Sequence, residues 1–149
     1  MKRPHIWIVV ADGEAARFYS SRKRHEKLEP ALPFEMRMPN PPTREQGASE
    51  PGRVFDSMGS ARHSVQPHVD WHREAKRKFA EEIAELLAEK AREKAFDKLV
   101  LVAPPQMMGD LRAAIDSATK TLVIGEVVKD LTHLSPTELG SSFAAEDWF

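Results

Sequence analysis

The sequence predicts one mixed α/β domain in which three antiparallel strands precede an alternation of helix, strand, helix, strand and helix. Three observations carry that expectation. The runs Ile6–Ala11 and Lys98–Ala103 are apolar, rich in β-branched residues and too short for helices, so they read as strands buried on both faces. Between them, residues 70–96 place Ala75, Phe79, Ile83, Leu86, Leu87 and Ala91 at steps of three and four, the spacing of an amphipathic helix. The chain has 149 residues, of which 41% are apolar, an ordinary size for a single hydrophobic core.

After the first strand, Asp12-Gly13 is a hairpin turn signal, because glycine tolerates positive φ, and residues 16–20 read as the antiparallel partner. A weaker third strand is expected within 27–36. Pro30 and Pro33 each remove an amide donor there, which confines it to an edge or breaks it. Residues 38–67 are rich in proline and glycine and poor in aliphatic anchors, and read as a long mobile loop. Beyond the second apolar run, Pro104-Pro105 ends the strand, 106–118 reads as a short helix and 121–129 as another strand. Strand, helix and strand in succession imply a parallel crossover. Ser135-Pro136-Thr137-Glu138 is a capping box with proline at the first helical position, so the last helix starts there. In the tail, Trp148 and Phe149 are expected to pack on the body.

Composition narrows the function classes. With no cysteine, disulfides, thiolate metal sites and a cysteine nucleophile are excluded. No apolar run approaches the roughly 20 residues of a membrane helix, and the basic first residues lead into a strand rather than a cleavage site. A cytoplasmic protein without a membrane partner is the expectation. The formal net charge of −1 hides a split: residues 1–78 hold 15 basic and 10 acidic side chains, residues 79–149 hold 7 and 13. The basic half suits a local phosphate-binding surface, and basic residues at the start of a helix beginning near Asp70 would oppose the helix dipole, which hints at an anionic partner.

The element order is that of the ribonuclease H-like fold, a mixed five-stranded sheet with helices on its faces. Two-metal nucleases of that fold place carboxylates on the first strand, the first helix and the end of the fourth strand. Asp12 ends the first strand, but the fourth expected strand runs into Val102-Ala103-Pro104-Pro105, which disfavours that chemistry. No Walker A loop, G-x-G-x-x-G or nucleophile elbow is present, so no cofactor is implied. His63, His68, Asp70 and His72 fall close together, and His68 and His72 at four apart are weak metal candidates, against the simpler reading of surface or phosphate-contacting histidines.

Ile6 to Gly13, Ser57-Met58-Gly59-Ser60-Ala61-Arg62-His63, Lys98 to Pro105 with Gly109-Asp110-Leu111-Arg112, and Glu126 to Thr132 with Glu138-Leu139 together resemble the bacterial host attachment protein family. The resemblance spans nearly the whole chain. Members of that family are similar to the central domain of archaeo-eukaryotic class I peptide release factors, in which a mobile loop with a GGQ motif precedes a long helix. The resemblance places 38–67 in that loop's position and implies a ribosome or structured RNA as partner. Arg44, Arg53, Arg62, His63, Arg73, Lys76 and Arg77 would then contact phosphate, with Met58, Gly59 and Ser60 as the loop motif. No Gly-Gly-Gln occurs, so peptidyl-tRNA hydrolysis lacks its glutamine and no catalytic residue is assigned. The rival readings are a non-catalytic protein adaptor or stress protein with an indirect role in attachment, and a hydrolase built on His63, His68 and His72. A secreted adhesin fits worst.

Overall fold

A computed structural model describes residues 4–21, 28–38 and 61–143, with side chains from 71 onward in the last stretch. The elements are β1 (Ile6–Ala11), β2 (Ala15–Ser21), β3 (Glu29–Pro30), β4 (Met36–Arg37), α1 (Ala61–Arg92), β5 (Lys98–Ala103), α2 (Pro105–Ala114), α3 (Ser117–Lys120), β6 (Val123–Val128) and α4 (Pro136–Ser142). The fold is mixed α/β. The described strands form a six-stranded sheet in the order β3-β2-β1-β5-β6, with β4 also paired to β2.

The two apolar runs lie side by side: β1 and β5 are parallel neighbours, with Ile8 beside Val100 and Val10 beside Val102. β2 returns antiparallel along the other side of β1, and β6 pairs parallel with β5. The sheet differs from a five-stranded one because the weak third strand is split. Its first piece pairs Pro30 with Tyr19 and its second pairs Met36 with Ala16, while the segment holding Pro33 bends away between them. Proline offers no donor to a ladder, which is why pairing lapses there.

Alternation along β1 feeds two cores. Trp7, Val9 and Ala11 join Leu99 and Leu101 beneath Phe79, Ile83 and Leu87 of α1 and Met108 and Leu111 of α2. Ile6, Ile8 and Val10 join Val100 and Val102 on the opposite face, under Leu139 and Phe143. A strand with a core on each face can be apolar at every position, and all six residues of β1 are buried.

Helix boundaries depart from expectation in three places. α1 begins at Ala61, so residues 61–67, expected in the loop, are helical and Pro67 lies inside the helix. Residues 39–60, the rest of that loop, lie outside the described residues. α1 also stops short of 96, because Lys94 adopts φ of 61° while its amide bonds Ala91 O at 3.0 Å and the Ala95 amide bonds Lys90 O at 2.9 Å. That is a left-handed cap, usually built on glycine. The helix expected over 106–118 is broken near Ile115, and Asp116 caps a new turn by accepting from the Thr119 amide at 2.8 Å. α4 carries the expected capping box, Ser135 and Glu138 each bonding the other's amide. Among the described residues no helix is long and apolar enough to cross a membrane.

Candidate functional site

The carboxyl ends of the parallel strands gather the polar groups. At the end of β1 the Asp12 carboxylate closes the hairpin: Oδ1 accepts from the amides of Glu14 at 2.7 Å and Ala15 at 2.8 Å. Its Oδ2 accepts from the Thr132 hydroxyl at 3.2 Å, which ties the first turn to the loop after β6. Asp130 steadies that loop, its Oδ1 taking both the hydroxyl of Thr132 at 2.6 Å and its amide at 3.1 Å. These bonds hold the Asp130 carboxyl below the usual carboxylate range. From β2, Arg17 donates to the Thr132 carbonyl and, through Nε, to Glu35 Oε1 at 2.8 Å. Arg37 pairs with the same carboxylate. The Arg17 hydrogen bond is the main reason the Glu35 carboxyl is depressed.

Two further pairs lock the helices onto this edge. Arg73 of α1 grips Asp110 of α2 with both terminal nitrogens, at 2.8 and 2.6 Å. Asp110 is 8% exposed, so its charge is tolerable only because a planar guanidinium meets both oxygens. Arg112 holds Glu126 of β6 through two nitrogens at 2.9 and 2.6 Å, joining α2 to the edge strand.

Lys76 behaves differently. It is half-buried and its stem lies across Gly13: a Cβ built on that glycine would meet Lys76 Cε at 3.0 Å and Cδ at 3.2 Å. Gly13 does not take up positive φ, so the expected conformational reason for glycine in this turn is replaced by close approach of a side chain. Lys76 forms no hydrogen bond or ion pair with any described residue, whereas Arg73, Arg77, Arg112, Arg17 and Arg37 are each paired with a carboxylate.

The other sequence-selected residues divide as follows. Arg44, Arg53, Met58, Gly59 and Ser60 lie outside the described residues, and Arg62, His63 and His68 fall where only the helix backbone is described. His72 is exposed, its ring edge-on to Trp71 at 5.1 Å. Arg77 pairs with Glu74 at i,i+3, as the spacing suggested, and keeps the Glu74 carboxyl low. Because α1 starts at Ala61, Arg73 to Lys78 lie well beyond its first turn, and the dipole no longer opposes their charge, since that effect fades within a turn. Among the described residues no group of His, Asp and Glu is arranged to hold a metal. Asp12, Asp110, Asp130 and Thr132 were not selected as site residues from sequence. The available signal was that all four sit in the segments that carry the family resemblance.

Met38, which follows β4, and Trp71, Glu74, Ala75, Lys78, Phe79 and Glu82 of α1 line a groove of about 280 Å³. Trp71 is 36% exposed in it.

The family model described as a protein required for attachment to host cells matches residues 7–142. That span takes in all of β1 but Ile6, both polar turns and α4. No curated protein matches the chain.

Proposed function

The chain belongs to the family of proteins required for attachment to host cells, and from that premise we propose that it is a cytoplasmic RNA- or ribosome-associated member, with a ribonuclease H-like, release-factor-like architecture and no hydrolytic role. The strand order, with β1 central between its antiparallel partner and a parallel crossover pair, supports that architecture. The observation that carries the docking reading is the contrast at the carboxyl edge: the arginines there are consumed by carboxylates, while Lys76 is held in place with its ammonium uncommitted. RNA phosphates would meet Lys76 and, in place of its exposed Glu74 partner, Arg77 on the described part of α1, together with Arg62 and His63 about four turns earlier and Arg44 and Arg53 from the preceding segment. In this reading Arg73 positions α2 against α1 through Asp110 and does not contact phosphate itself.

Sedimentation with ribosomes at increasing salt tests the proposal. Wild type should co-sediment at low salt and be released as salt rises, with a slope of about −0.7 per single-strand phosphate contact. Lys76→Met combined with Arg77→Gln should make that slope shallower. Absence of any salt-sensitive association with ribosomes, tRNA or structured RNA would be evidence against docking. The groove beside Trp71 favours a second reading, a non-catalytic adaptor acting through protein contacts, because an exposed tryptophan over apolar neighbours is the composition of a protein interface. A partner captured independently of salt, and lost on Trp71→Ala, would support it.

A further inference from the structure

We infer that Gly13 and Lys76 form one phosphate-binding unit, in which the turn after β1 sets the position of the lysine ammonium. The inference rests on the RNA-docking reading and narrows it to a specific pair of residues and a specific ligand group. Lysine side chains on a helix surface ordinarily sample many rotamers and bind anions weakly for that reason. Here the stem of Lys76 is laid on the Asp12-Gly13 turn, with Cε, Cδ and Nζ at 3.0, 3.2 and 3.4 Å from where a Cβ of residue 13 would stand. The turn beneath is rigid in its own right, since the Asp12 carboxylate accepts from Glu14, Ala15 and Thr132. All of the Asp12 bonds are made to neutral donors. The backbone amide of Gly13 has no hydrogen-bond partner among the described residues. An ammonium whose stem is seated on the turn, beside a backbone N–H with no partner among the described residues, is a donor pair suited to a phosphate oxygen. A side chain at residue 13 would press on the lysine stem and shift its end, so close approach of Lys76, not backbone conformation, favours glycine there.

The test uses the full chain with its lysines dimethylated by ¹³C-formaldehyde, which keeps their charge, and follows the Lys76 resonance assigned through Lys76→Arg. Inorganic pyrophosphate and a short oligouridylate are the two probes. Both should shift the Lys76 signal saturably in wild type. Gly13→Ala should move that signal in the free protein and weaken both probes about fivefold, the loss expected for one partly exposed charge-assisted contact. Lys76→Met should weaken them similarly, and adding Gly13→Ala to it should cause no further loss, which separates positioning from general destabilisation. A Lys76 resonance indifferent to both probes, or unmoved by Gly13→Ala with affinities unchanged, overturns the inference. Binding of pyrophosphate without the oligonucleotide would support the unit and count against the RNA reading. Oligonucleotide binding that leaves Lys76 silent would overturn the unit while the RNA reading stands.

Discussion

Ile83→Ala is the sharpest probe of how α1 is seated. Ile83 has no exposed surface and lies in the core that α1 shares with Trp7, Val9, Leu99 and Leu101. Alanine removes about three methylene equivalents, worth ~0.8 kcal/mol each, or roughly 2.4 kcal/mol in transfer free energy. A cavity contribution adds to this wherever neighbours cannot collapse, and the observed range for such changes extends to about 5 kcal/mol. Collapse is hindered here because the floor of the site is β1 and β5, paired to each other along their length, and the flanks are Phe79 and Leu87 on the same helix. A loss of about 3 kcal/mol is therefore expected. For a domain of this size it corresponds to a fall of roughly 6–12 °C in Tm. Urea unfolding should show a lower midpoint at unchanged m-value, since the surface exposed on unfolding is nearly the same. Glu82→Ala, one residue away on the exposed face, serves as the control and should stay within about ±0.5 kcal/mol. If both variants unfolded at the wild-type midpoint, the assignment of the buried face of α1 would be refuted.

Other expectations follow from single contacts. Lys94→Gly relieves a left-handed residue at the end of α1 and, after the entropy cost of glycine, should raise stability by about 0.5–1 kcal/mol in the same urea assay; a loss would show that the cap is not formed. Ser135→Ala removes the N-cap of α4 and should cost about 0.5–2 kcal/mol, with Leu139 and Phe143 losing amide-exchange protection first. The carboxyls of Glu35, Asp130 and Glu138 are held below their ordinary values by Arg17, Thr132 and Ser135 respectively. Groups depressed in the folded state stabilise it fully above the ordinary carboxylate range, about pH 4, and lose that contribution as pH falls through their lower folded values. Stability should thus be level from neutrality to about pH 5 and decline below it. Glu35→Gln should flatten part of the decline, and an unchanged acid profile in that variant would contradict the pairing with Arg17. Gly13→Ala should leave thermal stability nearly unchanged because the flexible end of Lys76 can yield, whereas Asp12→Ala, which frees the amides of Glu14 and Ala15, should lower it.

By itself, the sequence determined the elements whose signal is local. Ile6–Ala11 and Lys98–Ala103 declare buried strands because every position is apolar, and the Ser135 to Glu138 box declares a helix start because both partners lie within one turn. The family resemblance was likewise legible, since it rests on short segments spread along the chain. Tertiary structure decided what depends on residues far apart in sequence. Pro30 and Pro33 warn of a weak strand, but only the length of β2 determines that both fragments find partners on it. Lys94 carries no sign of a helix end, because nothing in a lysine favours positive φ, and the strand that must begin at Lys98 forces the chain to turn there. Basic residues look alike in sequence, yet burial of Asp110 claims Arg73 while the missing side chain of Gly13 leaves Lys76 seated and unclaimed. Pattern reports a residue's own preference over a turn or a strand; which charge is spent and which is kept depends on what the fold brings to within about 3 Å of it.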